Sequence, residues 1–174
     1  FLHARMIGGK ENAASRGELR FPLPVGYVYD PDGKPVMDPD EEVRHAVSTL
    51  FRVFRSSGSA YGVVRYFAEN NLSFPKRAYG GVWDGKITWG TLTHSRVLTA
   101  IHNPSYAGAY VYGRYRDNKT IHSDGHFTHH TVRLTDRNDW KVFIPDHHPA
   151  YISWEEFEEN QKCLDSNRTN SERC

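Results

Sequence analysis

Apolar residues recur with helical spacing in the first half of the chain. The strongest pattern runs from Val43 to Phe54, where apolar side chains fall at i, i+3, i+4, i+7, i+8 and i+11. Asp38 is predicted to cap this helix, and Gly58 to end it. Ser59 is predicted to cap a second helix that repeats the spacing at Ala60, Val63, Val64 and Phe67. The sequence therefore predicts two consecutive amphipathic helices.

A third helix is predicted after Thr93, with Val97, Leu98 and Ile101 on its apolar face and Asn103-Pro104 as its stop. The polar, glycine-rich connection 72–88 separates it from the second helix. This outline resembles a helix-turn-helix, but the connection is longer than the three or four residues that the motif uses, so we expect an inserted wing or arm.

Alternating positions predict short strands around these helices. Val25–Tyr29 and Pro35–Met37 flank a turn, and Tyr106–Tyr115 alternates small or aliphatic residues with aromatic or basic ones. The polar stretch 117–139 predicts a loose hairpin that turns at residues 123–125, and Trp140–Ile144 predicts a strand. Ser153 and Glu156 form a capping box for a last helix. The predicted fold class is α+β: a small helical core with short β-hairpins and a C-terminal helix.

The composition indicates a soluble globular chain with unevenly distributed charge. Of its 174 residues, 38% are hydrophobic and 25% charged, and the net charge is +1. Residues 76–116 contain six Lys or Arg and one acid, whereas 30–42 contain one Lys and six acids, and 146–174 contain three basic and seven acidic residues. Such asymmetry makes one face attractive to a polyanion. Two cysteines, Cys163 and Cys174, are too few for a zinc site of their own.

The beginning of the third helix carries the best candidate chemistry. Thr91, His94, Ser95 and Arg96 are side chains of the types that contact phosphates or base edges, although the pattern alone is more often the ordinary polar first turn of a core helix. If Arg96 contacts base edges, the substitution Arg96→Ala is expected to weaken specific DNA binding and to leave the melting temperature unchanged. The extended segment after residue 14 carries Arg16 and Arg20, which suits either a minor-groove arm or a linker along its own domain.

Histidines cluster at residues 122, 126, 129, 130, 147 and 148. Together with Asp146 they leave open a metal-dependent nuclease, in which an Asp-His pair precedes a helix. No nucleophile elbow, P-loop or dinucleotide motif occurs, so a self-contained enzyme is not expected.

Five blocks, in order and spacing, resemble the recombinase domain of large serine recombinases: RGELRFPLPVGY (Arg16–Tyr27), VMDPDEEV (Val36–Val43), FRVFRSSGSAYGVVRYFAENNLSFPKR (Phe51–Arg77), W…HNPSYAGAYVYGR (Trp89–Arg114) and W…PDHHPAYISWEEFEENQ (Trp140–Gln161). The resemblance implies a DNA-binding module that lacks the family's catalytic domain. Residues 1–14 would end the helix linking to that domain, 15–24 would form an extended arm, 25–165 the recombinase domain, and 166–174 the start of a linker to a zinc ribbon.

The resemblance also implies function and site residues. The chain would bind double-stranded DNA at an attachment half-site of a prophage or mobile element, in the cytoplasm at the nucleoid. No cofactor or metal is expected in this fragment, and the catalytic serine would lie outside it. The parent protein would act as a dimer to tetramer on DNA, without membrane contact. The implied DNA contacts are Arg16 and Arg20 in the minor groove, Thr91, His94, Ser95 and Arg96 in the major groove, and Lys76, Arg77, Arg114 and Arg116 on phosphates.

Two other functions remain as hypotheses. A metal-dependent nuclease predicts divalent-ion-dependent cleavage that is lost in His148→Ala. A protein-interaction domain, favoured by exposed tyrosines and the acidic last helix, predicts no DNA affinity at low salt.

Overall fold

The computed structural model describes residues 2–78, 85–121 and 126–171. Its α-helices are α1 (Leu2–Ser15), α2 (Glu41–Ser57), α3 (Ala60–Glu69), α4 (His94–Ile101) and α5 (Trp154–Ser171). Its strands are β1 (Tyr27–Tyr29), β2 (Pro35–Met37), β3 (Phe74–Arg77), β4 (Ile87–Gly90), β5 (Tyr110–Tyr112), β6 (Tyr115–Ile121), β7 (Phe127–Arg133) and β8 (Val142–Ile144). Each strand has one antiparallel partner: β1 with β2, β3 with β4, β5 with β8, and β6 with β7. The predicted α+β class is confirmed.

The chain divides into two compact units. The helical unit comprises residues 21–108 and 148–174, and the ribbon unit comprises residues 1–20 and 109–147. Among the described residues, no helix is both long and apolar enough to cross a bilayer.

The core of the helical unit forms where α2 packs on α3, α3 on α4, and α4 on α5. The apolar stripe of α2 is fully buried there, as its periodicity predicts, and α5 contributes Phe157 and Leu164. Burial of these faces removes apolar surface from water, which stabilises the unit at roughly 25 cal/mol per Å². The predicted starts at Ser59, Thr93 and Ser153 are confirmed, since each side chain accepts a hydrogen bond from a backbone N–H in the following turn.

The predicted cap of α2 is wrong by two residues. Asp40 is the N-cap, and its side chain accepts the N–H of Glu42. Asp38 is instead buried at 5% exposure, where its Oδ1 accepts the N–H of Asp40 and its Oδ2 faces Arg77. Gly58 ends the helix with a φ of 65°, a left-handed conformation that glycine adopts without strain.

The predicted strand that begins at Tyr106 is wrong at its start. Asn103 caps a short 3₁₀ helix, Pro104–Ala107, because its side chain accepts the N–H of Ser105 and Pro104 suits a first helical position. Tyr106 therefore points into the core, and the strand β5 begins at Tyr110.

Three tyrosine hydroxyls fasten loops of the helical unit to its core. Tyr27 donates to the carbonyl of Pro149 (2.7 Å), Tyr106 to Val25 (2.7 Å) and Tyr151 to Gly26 (2.8 Å). Their rings also pack on one another, with centroids 5.3–5.9 Å apart. Burial raises the pKa of Tyr27 above its usual range, and burial together with the charge of Asp38 raises the pKa of Tyr151 to about 12.

The ribbon unit holds α1, the arm that follows it, and two antiparallel strand pairs. The hydroxyl of Tyr110 donates to the carbonyl of Leu19 (3.1 Å), and His147 Nε2 lies 3.2 Å from the carbonyl of Gly17. Lys141 forms an exposed ion pair with Glu11 at 2.6 Å. The arm 16–20 is therefore attached to β5 and to the segment that follows β8. The hairpin predicted within 117–139 is confirmed as β6–β7, while its predicted turn lies outside the described residues.

Candidate nucleic-acid interface

The first turn of α4 presents polar side chains to solvent. Thr93 Oγ1 accepts the backbone N–H of Arg96, which fixes the start of the helix. The opposite side of α4 is anchored in the core by Val97, Ala100 and Ile101. Because that anchored side determines the rotation of the helix, the exposed side contains His94 and Ser95, and Thr91 is exposed in the segment just before the cap. The structure thus groups three of the four residues predicted for the major groove.

The first turn of α4 has no acidic side chain. Within the helical unit, the sequence window 85–108 contains Lys86 and Arg96 but neither Asp nor Glu. Backbone N–H groups at a helix start also carry partial positive charge. The potential at the start of α4 therefore favours a negatively charged ligand such as a phosphate.

Arg96, the fourth predicted major-groove residue, makes internal contacts. Its guanidinium donates to the carbonyl of Pro75 and lies over the ring of Phe74, with Cζ 5.0 Å from the ring centroid. Partial burial lowers the pKa of Arg96, which remains cationic at neutral pH. These contacts attach α4 to β3.

Lys76 and Arg77, both predicted to contact phosphates, are neighbours on β3 with different environments. Lys76 is exposed, whereas the side chain of Arg77 is only 17% exposed. Arg77 donates to the carbonyl of Tyr27 (2.9 Å) and lies 3.4 Å from Asp38 Oδ2. Successive side chains of a strand point to opposite faces, which explains why Lys76 faces solvent while Arg77 faces the helical unit. There the ion pair with Asp38 neutralises the charge of Arg77. Of the two cations, Lys76 is therefore the more accessible to solvent.

The ribbon unit carries the other predicted contacts. Arg16 is exposed and pairs with Glu18 at 2.8 Å, and Arg20 is exposed in the arm. Arg114 stacks on Tyr115, with Cζ 5.1 Å from the ring centroid, and Arg116 is exposed on β6. Arg16 and Arg20 thus follow one another along the arm, while Arg114 and Arg116 lie at the base of β6.

The candidate histidines are distributed among separate contacts. His148 Nε2 lies 2.8 Å from the carbonyl of Ser105 and its ring packs edge-on against Tyr27, while His147 bonds to the arm. His126, His129 and His130 lie on or beside β7, and His122 is outside the described residues. Within the described ranges, no three His, Cys, Asp or Glu side chains are grouped so that they could hold a metal ion.

The sequence predicted an inserted wing or arm between α3 and α4 but not the strand bounds of the hairpin β3–β4, and it did not predict the faces of β6–β7. The hairpin fills the connection between α3 and α4, where a wing was expected, and its two strands pair over four residues. In β6–β7 almost every position is polar, so no apolar alternation marked it as a strand pair. Its signal was the run of threonine, histidine and valine at 128–132, which contains three β-branched side chains suited to a strand.

A family model described as Recombinase matches residues 41–167. The chain is also 44% identical over 174 residues to the uncharacterized protein y4bA/y4pH of Sinorhizobium fredii (strain NBRC 101917 / NGR234). That alignment covers 97% of this chain and 24% of the relative, so the chain spans about a quarter of the relative's length.

Two solved structures share the fold. One is described as an LSR–DNA complex, with a TM-score of 0.55 and 16% identity, covering 93% of this chain and 38% of that one. The other concerns the sequence requirements of the Listeria innocua prophage attP site, with a TM-score of 0.53 and 16% identity, covering 92% of this chain and 51% of that one. At this identity the likeness establishes a common fold.

Proposed function

The chain belongs to the Recombinase family, and we propose that it is a sequence-specific DNA-binding domain that recognises an attachment half-site for a site-specific serine recombinase. The observation that carries the proposal is the first turn of α4. It is fixed by a cap and a buried face, it exposes His94 and Ser95 next to the exposed Thr91, and it carries no acidic side chain. A rigid helix that projects short polar side chains suits the major groove, which admits one α-helix.

Residue type and exposure indicate which residues contact bases, which contact phosphates and which position the helix and strand. Thr91, His94 and Ser95 contact base edges, and Lys76 on β3 contacts a phosphate next to them. Arg96 and Arg77 are positioning residues, since their guanidinium groups hold α4 and β3 in place. The arm with Arg16 and Arg20 follows a minor groove, where arginine suits the negative potential.

The descriptions of the two similar structures suggest the type of DNA that this chain binds. One is a complex with DNA and the other concerns a prophage attP site. We extend this to attachment DNA of a prophage or mobile element, which is met in the bacterial cytoplasm. Strand cutting belongs to a serine-bearing domain outside this chain, and the chain's 24% share of its relative's length leaves room for such a domain. The parent protein then acts as a dimer or tetramer that pairs two half-sites.

The test is selection of bound duplexes from a random library by the 174-residue chain, at low and moderate salt, in EDTA. Enrichment of a motif of about ten base pairs, one turn of major groove, is the expected result. Chelation removes divalent cations, so intact, retained duplex also separates binding from metal-dependent cleavage. Failure to retain any duplex at low salt would refute the proposal and favour a protein-interaction domain.

A further inference from the structure

The strands β6 and β7 form a long, narrow ribbon within their unit. Seven residue pairs join them in register, from Tyr115 opposite Arg133 to Ile121 opposite Phe127. At about 3.3 Å per residue the ribbon is roughly 23 Å long, with two strands about 5 Å apart. A two-stranded ribbon of this width fits a DNA major groove, which is about 12 Å wide.

The two faces of the ribbon differ in chemistry. Directly opposed residues share a face, so one face consists of Arg116 with Val132, Asn118 with His130, and Thr120 with Thr128. All six side chains are exposed, and none is a carboxylate. We call this set the Asn118–His130 face.

The other face contains the ribbon's acid and is occupied by internal contacts. Asp117 accepts a hydrogen bond from the Thr131 hydroxyl at 2.6 Å, and the ring of Tyr115 is covered by Arg114. This face also carries Lys119 and Arg133, so the two faces differ in their internal contacts and side-chain types rather than in net charge.

The Asn118–His130 face matches the groups that base edges display. Arginine pairs with guanine, asparagine with adenine, and the methyl groups of threonine and valine contact the thymine methyl. Exposed polar side chains of these types do not contribute to a hydrophobic core. A two-stranded hairpin that is solvated on both faces is only marginally stable by itself. Contact with a partner would therefore explain both the length and the composition of the ribbon, and the base-pairing side chains of this face, together with the single positive charge of Arg116, suit DNA.

We propose that the Asn118–His130 face enters the major groove of the attachment site and reads bases there, as a second element distinct from α4. The inference rests on the proposed DNA-binding function. It assigns Asn118 and His130 to base contacts, and it assigns Arg116, previously expected on a phosphate, to a base edge at the same face.

Two adjacent histidines provide a matched pair of variants. His129 and His130 are both exposed on β7, but they lie on opposite faces because side chains alternate along a strand. Affinity of the 174-residue chain for the duplex selected from the random library is measured for His130→Ala, Asn118→Ala and His129→Ala, together with melting of each variant.

We expect His130→Ala and Asn118→Ala each to weaken binding about tenfold, at the lower part of the range for a lost base contact, and His129→Ala to change it less than twofold. Repeated selection with Asn118→Ala is expected to lose preference at one or two base pairs. Melting should match the wild type, since all three side chains are exposed.

Several results would overturn the inference. Unchanged affinity in His130→Ala and Asn118→Ala would refute the ribbon contact while leaving the proposed function intact. Equal loss in His129→Ala and His130→Ala would refute the assignment of the face. A wild-type chain that selects no duplex would remove the proposed function and, with it, this inference.

Discussion

The guanidinium carbon of Arg96 lies 5.0 Å from the centroid of the Phe74 ring, so the first turn of α4 is attached to β3 through a cation–π contact. The same guanidinium donates to the carbonyl of Pro75, the next residue of β3. Phe74 is itself buried against Phe67 of α3, with ring centroids 5.9 Å apart. The start of α4 is therefore connected to the core through a chain of side-chain contacts.

Arg96→Ala is expected to lower the free energy of unfolding by about 1–2 kcal/mol, because it removes the stacking contact and leaves the Pro75 carbonyl without its donor. Urea denaturation measures the loss. Arg65→Ala is the control, since Arg65 forms an exposed ion pair with Glu69 and its loss should cost under about 0.5 kcal/mol. Equal stability of Arg96→Ala and wild type would contradict the positioning role and restore a direct role for Arg96 in DNA contact.

The double variant His94→Ala/Ser95→Ala is expected to weaken binding to the selected duplex at least tenfold, because both exposed side chains would lose contacts to bases. Its melting temperature should stay unchanged, since neither side chain is buried. Electrophoretic mobility shift measures the affinity. Ser48→Ala, exposed on α2, is the control, and equal binding by the two proteins would remove α4 from the interface.

Lys76→Ala is expected to reduce the salt dependence of DNA binding. One lost phosphate contact should lower the slope of log affinity against log salt by about 0.9, with similar weakening for every sequence. The comparison is with Lys34→Ala, because Lys34 lies in the acidic stretch 30–42 and should leave the slope unchanged. A slope that is the same in both variants would exclude Lys76 from the phosphates.

Asp38→Asn is expected to destabilise the helical unit by about 2 kcal/mol. The substitution leaves the poorly exposed guanidinium of Arg77 without its opposite charge, and burying an unpaired charge is costly. Chemical denaturation of Asp38→Asn is compared with that of Asp32→Asn, an exposed turn residue. If both variants unfold at the same denaturant concentration, the pair contributes nothing to stability.

Alkaline pH should destabilise the chain through its buried tyrosines. The pKa of Tyr151 is raised to about 12 in the folded state, against 10.0 for a free tyrosine. Between these values the unfolded chain releases the proton while the folded chain keeps it. The stabilisation is therefore complete below pH 10 and is lost as the pH rises towards 12, by up to about 1.4 kcal/mol per pH unit for one group.

Urea midpoints between pH 9 and 12 test this dependence. Tyr151→Phe should show a shallower decline than the wild type, because it has no proton to release. Tyr61→Phe, at a residue 71% exposed, should decline as the wild type does. Parallel declines in all three proteins would show that Tyr151 does not govern the alkaline transition.

Local patterns were sufficient to predict most of the helical unit. The stripe from Val43 to Phe54, the cap at Ser59 and the stop at Asn103-Pro104 depend on residues within one or two turns of each other, and the structure confirms them. The cap of α2 was misplaced because two aspartates precede the helix, and only burial distinguishes Asp38 from Asp40.

The roles of the arginines depend on contacts that local patterns do not contain. Arg77 meets Asp38, 39 residues earlier, and Arg96 meets Pro75, 21 residues earlier. From the sequence, both were indistinguishable from solvent-exposed cations. The faces of β6–β7 required the register, since a shift of one residue exchanges the two faces.

The hydrogen bond from Tyr27 to Pro149 joins residues 122 positions apart, and this separation constrains when the chain can fold during its synthesis. The core shared by α2, α3 and α4 is closed by Ile152, Phe157 and Leu164. Until residues 152–164 have left the ribosome, the apolar faces of α2, α3 and α4 lack that cover. The helical unit therefore completes its folding only once α5 has left the exit tunnel.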